Sequence, residues 1–581
     1  MNRWSSVAVA VLLAAAPAKA QITKALELVP DDALGFICIK DLNQLSRRVE
    51  DLAKKLNARE HVSLLELIHK EFGIRQGLNE NGSAVFVVMK EKKGKTTLRP
   101  IVAVPVTDYR KILGQLGVKQ RNKGISEGEI GVPTGLLAGV GGEGQGETAK
   151  NKSRVLVARK GGFALLASPR DRESLEQVLK SRTSVRASVR PAQDWLTRQE
   201  ICGVCTHHSV KAGLAMLLAG PGGGVGSSTQ GQYAKLKATY ADAEKNVKFI
   251  AFGARIGNAG NPRLLTRVYF DPDGSFAKWI AKAEPLQGKV LERFPGPLHY
   301  LVGVARLSPQ TSFEGAASLL WAELIPQKAA EKLTRATARL LQRISEVGLL
   351  VYEPKARGKP AADSPDNRRP SGRVHLELAL LAKVDDAAAF SEGVASLFQQ
   401  AHQAAKEAGK NTGELKLARV QVAGKRTLVI SLSKTKKDKS AAEEAEQDRK
   451  SSEGQLRAIL NGQLRILLTQ LDPHTVLTGG PSDGDQAKSF VKTFAIPPRR
   501  SLKADAPLQR TAALLPKRLQ VAAYLSVRSL GVPAALLGAG VPPGVPESPP
   551  LGFALRTMPA GVEAQFVIPF EALQAVVNAA K

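Results

Sequence analysis

Cysteine and aromatic residues are scarce in this chain. Its 581 residues include three cysteines, four tryptophans and only 5% Phe, Trp and Tyr together. Three cysteines exclude a disulfide scaffold, and the odd number leaves at least one thiol unbridged within a chain. Few aromatics means few platforms on which unpaired bases can stack. The basic residues are spread along the chain rather than gathered, so sequence-specific nucleic-acid binding is not expected. Several reactive spellings are also missing. No H-E-x-x-H occurs, and Thr206 separates C-G-V-C from its histidines, which rules out a c-type haem attachment. The glycine run at Gly222 has no G-K-[ST] ending, so a nucleotide loop would lack its lysine and its magnesium ligand. Beyond the first twenty residues no apolar run approaches the roughly 20 residues a membrane span needs. No transmembrane segment is therefore expected in the mature chain.

Positive charge is abundant. Lys and Arg number 83 against 53 Asp and Glu, a formal net charge of +30. Such a field attracts anionic partners. The N-terminus carries an export signal. Arg3 precedes the apolar run Val7 to Ala16, Pro17 breaks it, and Ala18-Lys19-Ala20 supplies the small-x-small cleavage pattern. Residues 1–20 are expected to be a signal peptide, with the mature chain starting at Gln21. The residue at that start is glutamine, so there is no cysteine there to carry a lipid anchor. The expected location is the periplasm or cell envelope, or the medium beyond it.

A strand–turn–strand–helix pattern recurs. Ser83 to Lys90 is followed by Arg99 to Val106, and Thr107-Asp108 then caps Y-R-K-I-L-G-Q-L. Arg154 to Ala158 turns at R-K-G-G into Phe163 to Ala167, after which S-P-R-D-R-E opens a helix. Lys248 to Ile256 with Arg263 to Phe270, Leu415 to Val422 with Thr427 to Leu432, and Leu464 to Leu471 with Thr475 to Thr478 read the same way. A final hairpin from Leu551 precedes the helix F-E-A-L-Q-A-V-V-N-A-A. Short turns imply antiparallel pairing. A second repeat lies over the first: proline, strand and helix from Pro30, again from Pro297, and a shorter copy from Pro516. The expectation is an α+β fold, antiparallel sheets built from repeated β-hairpin-plus-helix units in two related halves. Those halves are 21–290 and 291–510, with 511–581 completing the second. Gly139 to Asn151, Gly220 to Gly231, Lys355 to Arg373, Lys434 to Lys450 and Val541 to Pro550 read as linkers, loops or charged excursions.

Few residues suggest chemistry. G-I-S-E-G around Ser126 spells a nucleophile elbow, but its flanks do not supply the required strand and helix. S-F-A-K, S-L-S-K and S-F-V-K lack the S-D-N and K-T-G partners of penicillin-binding enzymes. D-P-D-G at Asp271 and S-D-G-D at Ser482 sit where a strand must turn into a helix, so capping explains them better than calcium. The stretch I-C-G-V-C-T-H-H remains. Read as a strand, Ile201, Gly203, Cys205 and His207 line one face, and Cys202, Val204, Thr206 and His208 the other. A tight turn at Gly203 would instead let Cys202 and Cys205 bridge or bind metal. The strand reading accounts for more residues, and both alternatives stay open. No residue is assigned a catalytic, cofactor-binding or metal-ligating role, and no cofactor is implied.

V-P-D-D-A at Val29 to Ala33, the strand and L-x-x-L helix after it, and P-V-T-D-Y at Pro105 to Tyr109 carry a resemblance. The layout resembles exported bacterial proteins of repeated sheet-and-helix modules, a group to which no reaction is assigned. The resemblance implies the same fold and carries over no functional residue. The functional expectation is a non-enzymatic binding or scaffolding protein whose partner is an anionic envelope component or another protein. The alternatives are a hydrolase with a site assembled from distant residues, and a carrier of a hydrophobic ligand. Oligomeric state is left open.

Overall fold

A computed structural model of the chain describes residues 22–57, 63–90, 98–118, 120–122, 124–131, 152–212, 244–257, 259–298, 300–307, 327–352, 377–409, 414–433, 464–479, 484–527 and 548–579. Residues 1–21 and four of the five linker-like stretches lie outside these residues, as does most of Val541 to Pro550. The chain divides into two compact units, with the division at Gly274 and Ser275. Helices beside wholly antiparallel strands make the fold α+β.

The first unit contains β1 (Gly35–Ile39), α1 (Leu42–Lys55), α2 (Leu64–Phe72), β2 (Ala84–Lys90), β3 (Leu98–Pro105) and α3 (Tyr109–Gln115). Then come β4 (Gln120–Asn122), β5 (Ile125–Gly131), β6 (Lys152–Lys160), β7 (Phe163–Ala167), α4 (Arg172–Lys180), β8 (Ile201–Thr206), β9 (Val247–Ile256) and β10 (Pro262–Phe270). The strand order is β10-β9-β8-β1-β2-β3-β7-β6-β5-β4. β2–β3, β4–β5, β5–β6, β6–β7 and β9–β10 pair as sequence neighbours, while β3 meets β7 and β1 meets β8 only after long excursions. Ile101 to Val104 in β3 are all buried, because this strand has cover on both faces. Val102 and Val104 join Leu42, Ile74, Ile112 and Leu116 in one apolar cluster. Asp41 and Asp108 accept from the first helical N–H groups of α1 and α3, so each helix starts where its aspartate stands.

The second unit contains α5 (Ser275–Ile280), β11 (Leu301–Arg306), α6 (Gln327–Gln342), β12 (Ile344–Tyr352), β13 (Glu377–Val384), α7 (Ala387–Glu407), β14 (Glu414–Val422) and β15 (Lys425–Ser433). It continues with β16 (Leu464–Asp472), β17 (Thr475–Gly479), α8 (Gly484–Ala495), α9 (Ala506–Leu514), β18 (Val521–Leu525), β19 (Leu551–Met558), β20 (Gly561–Val567) and α10 (Phe570–Ala579). Its strand order is β20-β19-β18-β11-β12-β13-β17-β16-β15-β14. The strand after Pro516, β18, lies beside β11 in the middle of this sheet. The core gathers around Phe294, Phe490 and Phe494, with ring centroids 6.2 Å and 5.2 Å from Phe494. Glu346, 1% exposed, accepts from the Val290 N–H at 3.0 Å and the Gln287 N–H at 3.2 Å, closing the turn that leads into this core.

Candidate functional site

I-C-G-V-C-T is a continuous strand, β8, set between β1 and β9. Its pleat sends Cys202 to one face and Cys205 to the other. The Cys202 thiol is buried, and its partner across the sheet is Cys38 of β1, which is buried too. Cys205 is half-buried and stands opposite Gly35. Gly203 makes no turn. A Cβ there would come within 2.1 Å of the Phe252 ring and 2.5 Å of the Phe36 carbonyl, so close packing requires the glycine. The strand is shorter than its sequence suggests, since it ends at Thr206 and His207 and His208 open a helix. The reason lies at the strand end, where the Thr206 hydroxyl is spent on the Ala33 and Leu34 carbonyls. His207 Nδ1 lies 2.9 Å from the Val247 carbonyl. The histidines therefore do not share a sheet face with the cysteines.

Contact with the Cys38 thiol, and then burial, push the Cys202 thiol well above its ordinary range. It stays protonated near neutral pH, which suits a packed thiol rather than a nucleophile. Lys40 and Glu200 stand two residues away on the same strands. Lys40 donates to the Thr197 carbonyl at 2.8 Å, and burial lowers its ammonium pKa. Glu200 pairs with Arg48 and accepts from the Ile256 N–H at 2.9 Å. These polar groups are committed to holding strand ends together.

The second unit has an open cleft of about 510 Å³ where the N-terminus of α7 meets the β14–β15 and β16–β17 turns. Its polar lining includes Asp385, Asp386, Lys425, Arg426, Gln470, Asp472 and His474. Each carboxylate is already engaged. Arg343 grips both oxygens of Asp385, at 2.8 and 3.0 Å. Asp386 caps α7 through Ala388 and Ala389. Asp472 accepts from Arg293 at 2.6 Å and from the His474 N–H at 2.9 Å. Burial acts to raise Asp385 and Asp472, but these donors outweigh it and hold both below the usual carboxylate range. That suits structural ion pairs, whereas a general acid needs a raised carboxyl. His474 Nδ1 lies 2.7 Å from the Asp385 carbonyl, so that nitrogen carries a proton and donates. Arg426, Gln470 and the His474 ring are polar groups that the cleft presents to a ligand.

The remaining sequence motifs lie apart. Ser126 is buried on β5 opposite Val157, with no elbow around it. Asp271 follows β10, and its side chain accepts from the Asp273 N–H at 3.3 Å, a turn contact. Ser275 and Ser489 lie in α5 and α8, and Phe490 and Val491 of S-F-V-K are core residues. The Cys38–Cys202 pairing is the arrangement that sequence reading misses. Two single strands with no local connection carry no signal of their register. Comparison of the chain with protein-family models, curated proteins and solved structures finds no match.

Proposed function

We propose that the chain is an exported, non-enzymatic binding or scaffolding protein of the periplasm or cell envelope. It is built from two related copies of one α+β unit, and its positive field holds an anionic envelope component. The duplication is supported by strand order, because each strand of the second unit takes the place of the strand ten earlier in the first. Hydrogen bonds agree in detail. Lys40 N–H donates to the Glu200 carbonyl as Arg306 N–H does to that of Gln520. The Glu200 side chain accepts from Ile256 N–H, and that of Gln520 accepts from Thr557 N–H. Pro30 bridges to Ser184, and Pro295 bridges to Ser501.

The observation that carries the binding reading is the basic stretch from Lys180 to Arg198. Arg182, Arg190 and Arg198 reach solvent there with no ion-pair partner among the described residues. Arg186 lies between them, paired with the exposed Glu27 at 2.5 Å. An exposed pair contributes little and is easily exchanged for another anion. Guanidinium groups suit carboxylate, sulfate and phosphate alike.

The test is binding of the mature chain to an acidic polysaccharide across a salt series. Binding should weaken by about tenfold between low and physiological salt. A triple reversal, Arg182→Glu with Arg190→Glu and Arg198→Glu, should lower low-salt binding by a similar factor and flatten the salt dependence. Salt-independent binding, or a triple variant that binds as the parent does, would refute the reading.

A further inference from the structure

We propose that Cys38 and Cys202 form a disulfide that staples β1 to β8 across the first unit. The two residues stand directly opposite each other in the antiparallel register. The Lys40 N–H donates to the Glu200 carbonyl and the Thr206 N–H to that of Leu34. Cys38 and Cys202 lie between these pairs at an even spacing, so they too are a hydrogen-bonded pair. Such pairs hold their Cα atoms about 5.5 Å apart, inside the Cα range a disulfide spans, while their Cβ atoms start about 5.5 Å apart and must close by about 1 Å for the bond to form. Both side chains are 1% exposed and face the same side of the sheet. Their surroundings are apolar: Ile22, Ala25, Leu26, Phe36 and Leu196 enclose a void that admits no water. The bridge therefore leaves no polar group stranded.

Packing alone does not call for two thiols. On the duplication proposed above, the matching positions in the second unit are Val304 and Ala522, which face each other and are buried as well. An ordinary apolar pair fills the place there. A thiol on each strand of the first unit adds what that apolar pair lacks, the capacity for covalent closure of the 38–202 loop. Cys205 cannot compete for Cys202, because the two point to opposite faces of one strand.

The oxidant is a disulfide, either oxidised glutathione or the active-site disulfide of a dithiol oxidase. One cysteine thiolate attacks it and expels a glutathione thiolate, leaving a mixed disulfide. The second cysteine thiolate attacks the chain's sulfur and expels the other glutathione. The chain loses two hydrogens and gains one S–S bond, and two glutathione thiols carry away the electron pair and the protons. The Cys202 thiol resists ionisation once packed, so exchange belongs to folding rather than to the finished fold.

The test refolds the reduced, denatured mature chain in a glutathione redox buffer. It is then denatured in N-ethylmaleimide and weighed, with circular dichroism confirming refolding. The parent should carry one adduct, at Cys205, with a linked peptide joining residues 38 and 202. Cys205→Ser should carry none, while Cys38→Ser and Cys202→Ser should each carry two. Folded, reduced protein in the same buffer should close the bridge at least tenfold more slowly. A refolded parent with three adducts, or a bridge that includes Cys205, would overturn the proposal. Should refolding fail, alkylation of protein exported into an oxidising periplasm separates the same two outcomes by the same adduct counts. The refolding arm brings its own oxidant, so its outcome is independent of export and of any anionic partner.

Discussion

At the scale of single residues, two buried carboxylates serve the backbone. Glu346 in the second unit closes a turn by accepting two main-chain N–H groups. Glu200 in the first holds a strand end through Arg48 and Ile256. Leaving such donors unpaired costs about 1–3 kcal/mol each, which accounts for a buried carboxylate at these two positions. Asp472 allows a test by pH. Its carboxyl lies below the ordinary value of about 3.9 in the folded state. Between those two values the unfolded chain binds more protons, so stability rises with pH. The contribution is fully present above about pH 4 and is lost as pH falls through the lowered value. Asp472→Asn should be less stable than the parent at neutral pH. Its denaturation midpoint should also fall less than the parent's between pH 5 and pH 2.5. Parallel pH profiles for the two proteins would refute this role.

At the scale of elements, most of the fold is legible in the chain. The hairpins read clearly, because apolar runs flank short glycine or proline turns and each is satisfied by the segment next to it. Asp108 reads as a cap for the same local reason, and Asp386 holds the corresponding post before α7. Asp108→Ala and Asp386→Ala should each cost about 1 kcal/mol. The loss should appear as faster amide hydrogen exchange at Arg110 and Lys111 in the first case and at Ala388 and Ala389 in the second. Unchanged exchange at those amides would show the caps to be idle. The pairing of β1 with β8, and of β11 with β18, is not legible. Periodicity says which face of a strand is buried and nothing about which distant strand lies alongside. The candidate site is hidden for that reason. Cys38 and Cys202 look unrelated along the chain, and the cleft lined by Asp385 and His474 needs three turns brought together by the sheet. The reach of β8 into His207 and His208 fails for a different cause. The stretch has no residue that marks a strand end, and only the contacts of Thr206 with the preceding loop stop it.

At the scale of the whole molecule, charge is the property that points outward. The polar groups of the cleft and of the β1–β8 seam are largely consumed by structure, whereas arginines at Arg182, Arg190, Arg198 and Arg426 face solvent. A formal charge of +30 over the whole sequence gives long-range attraction that salt can switch off. The most direct measurement is recovery of the native protein from its host at low ionic strength, followed by stepwise elution with salt and analysis of what leaves with it. An anionic component should accompany the chain at low salt and be released as ionic strength rises past the physiological range. A chain that emerges bare at every salt concentration, or with a neutral companion that salt does not displace, would contradict an anion-binding role.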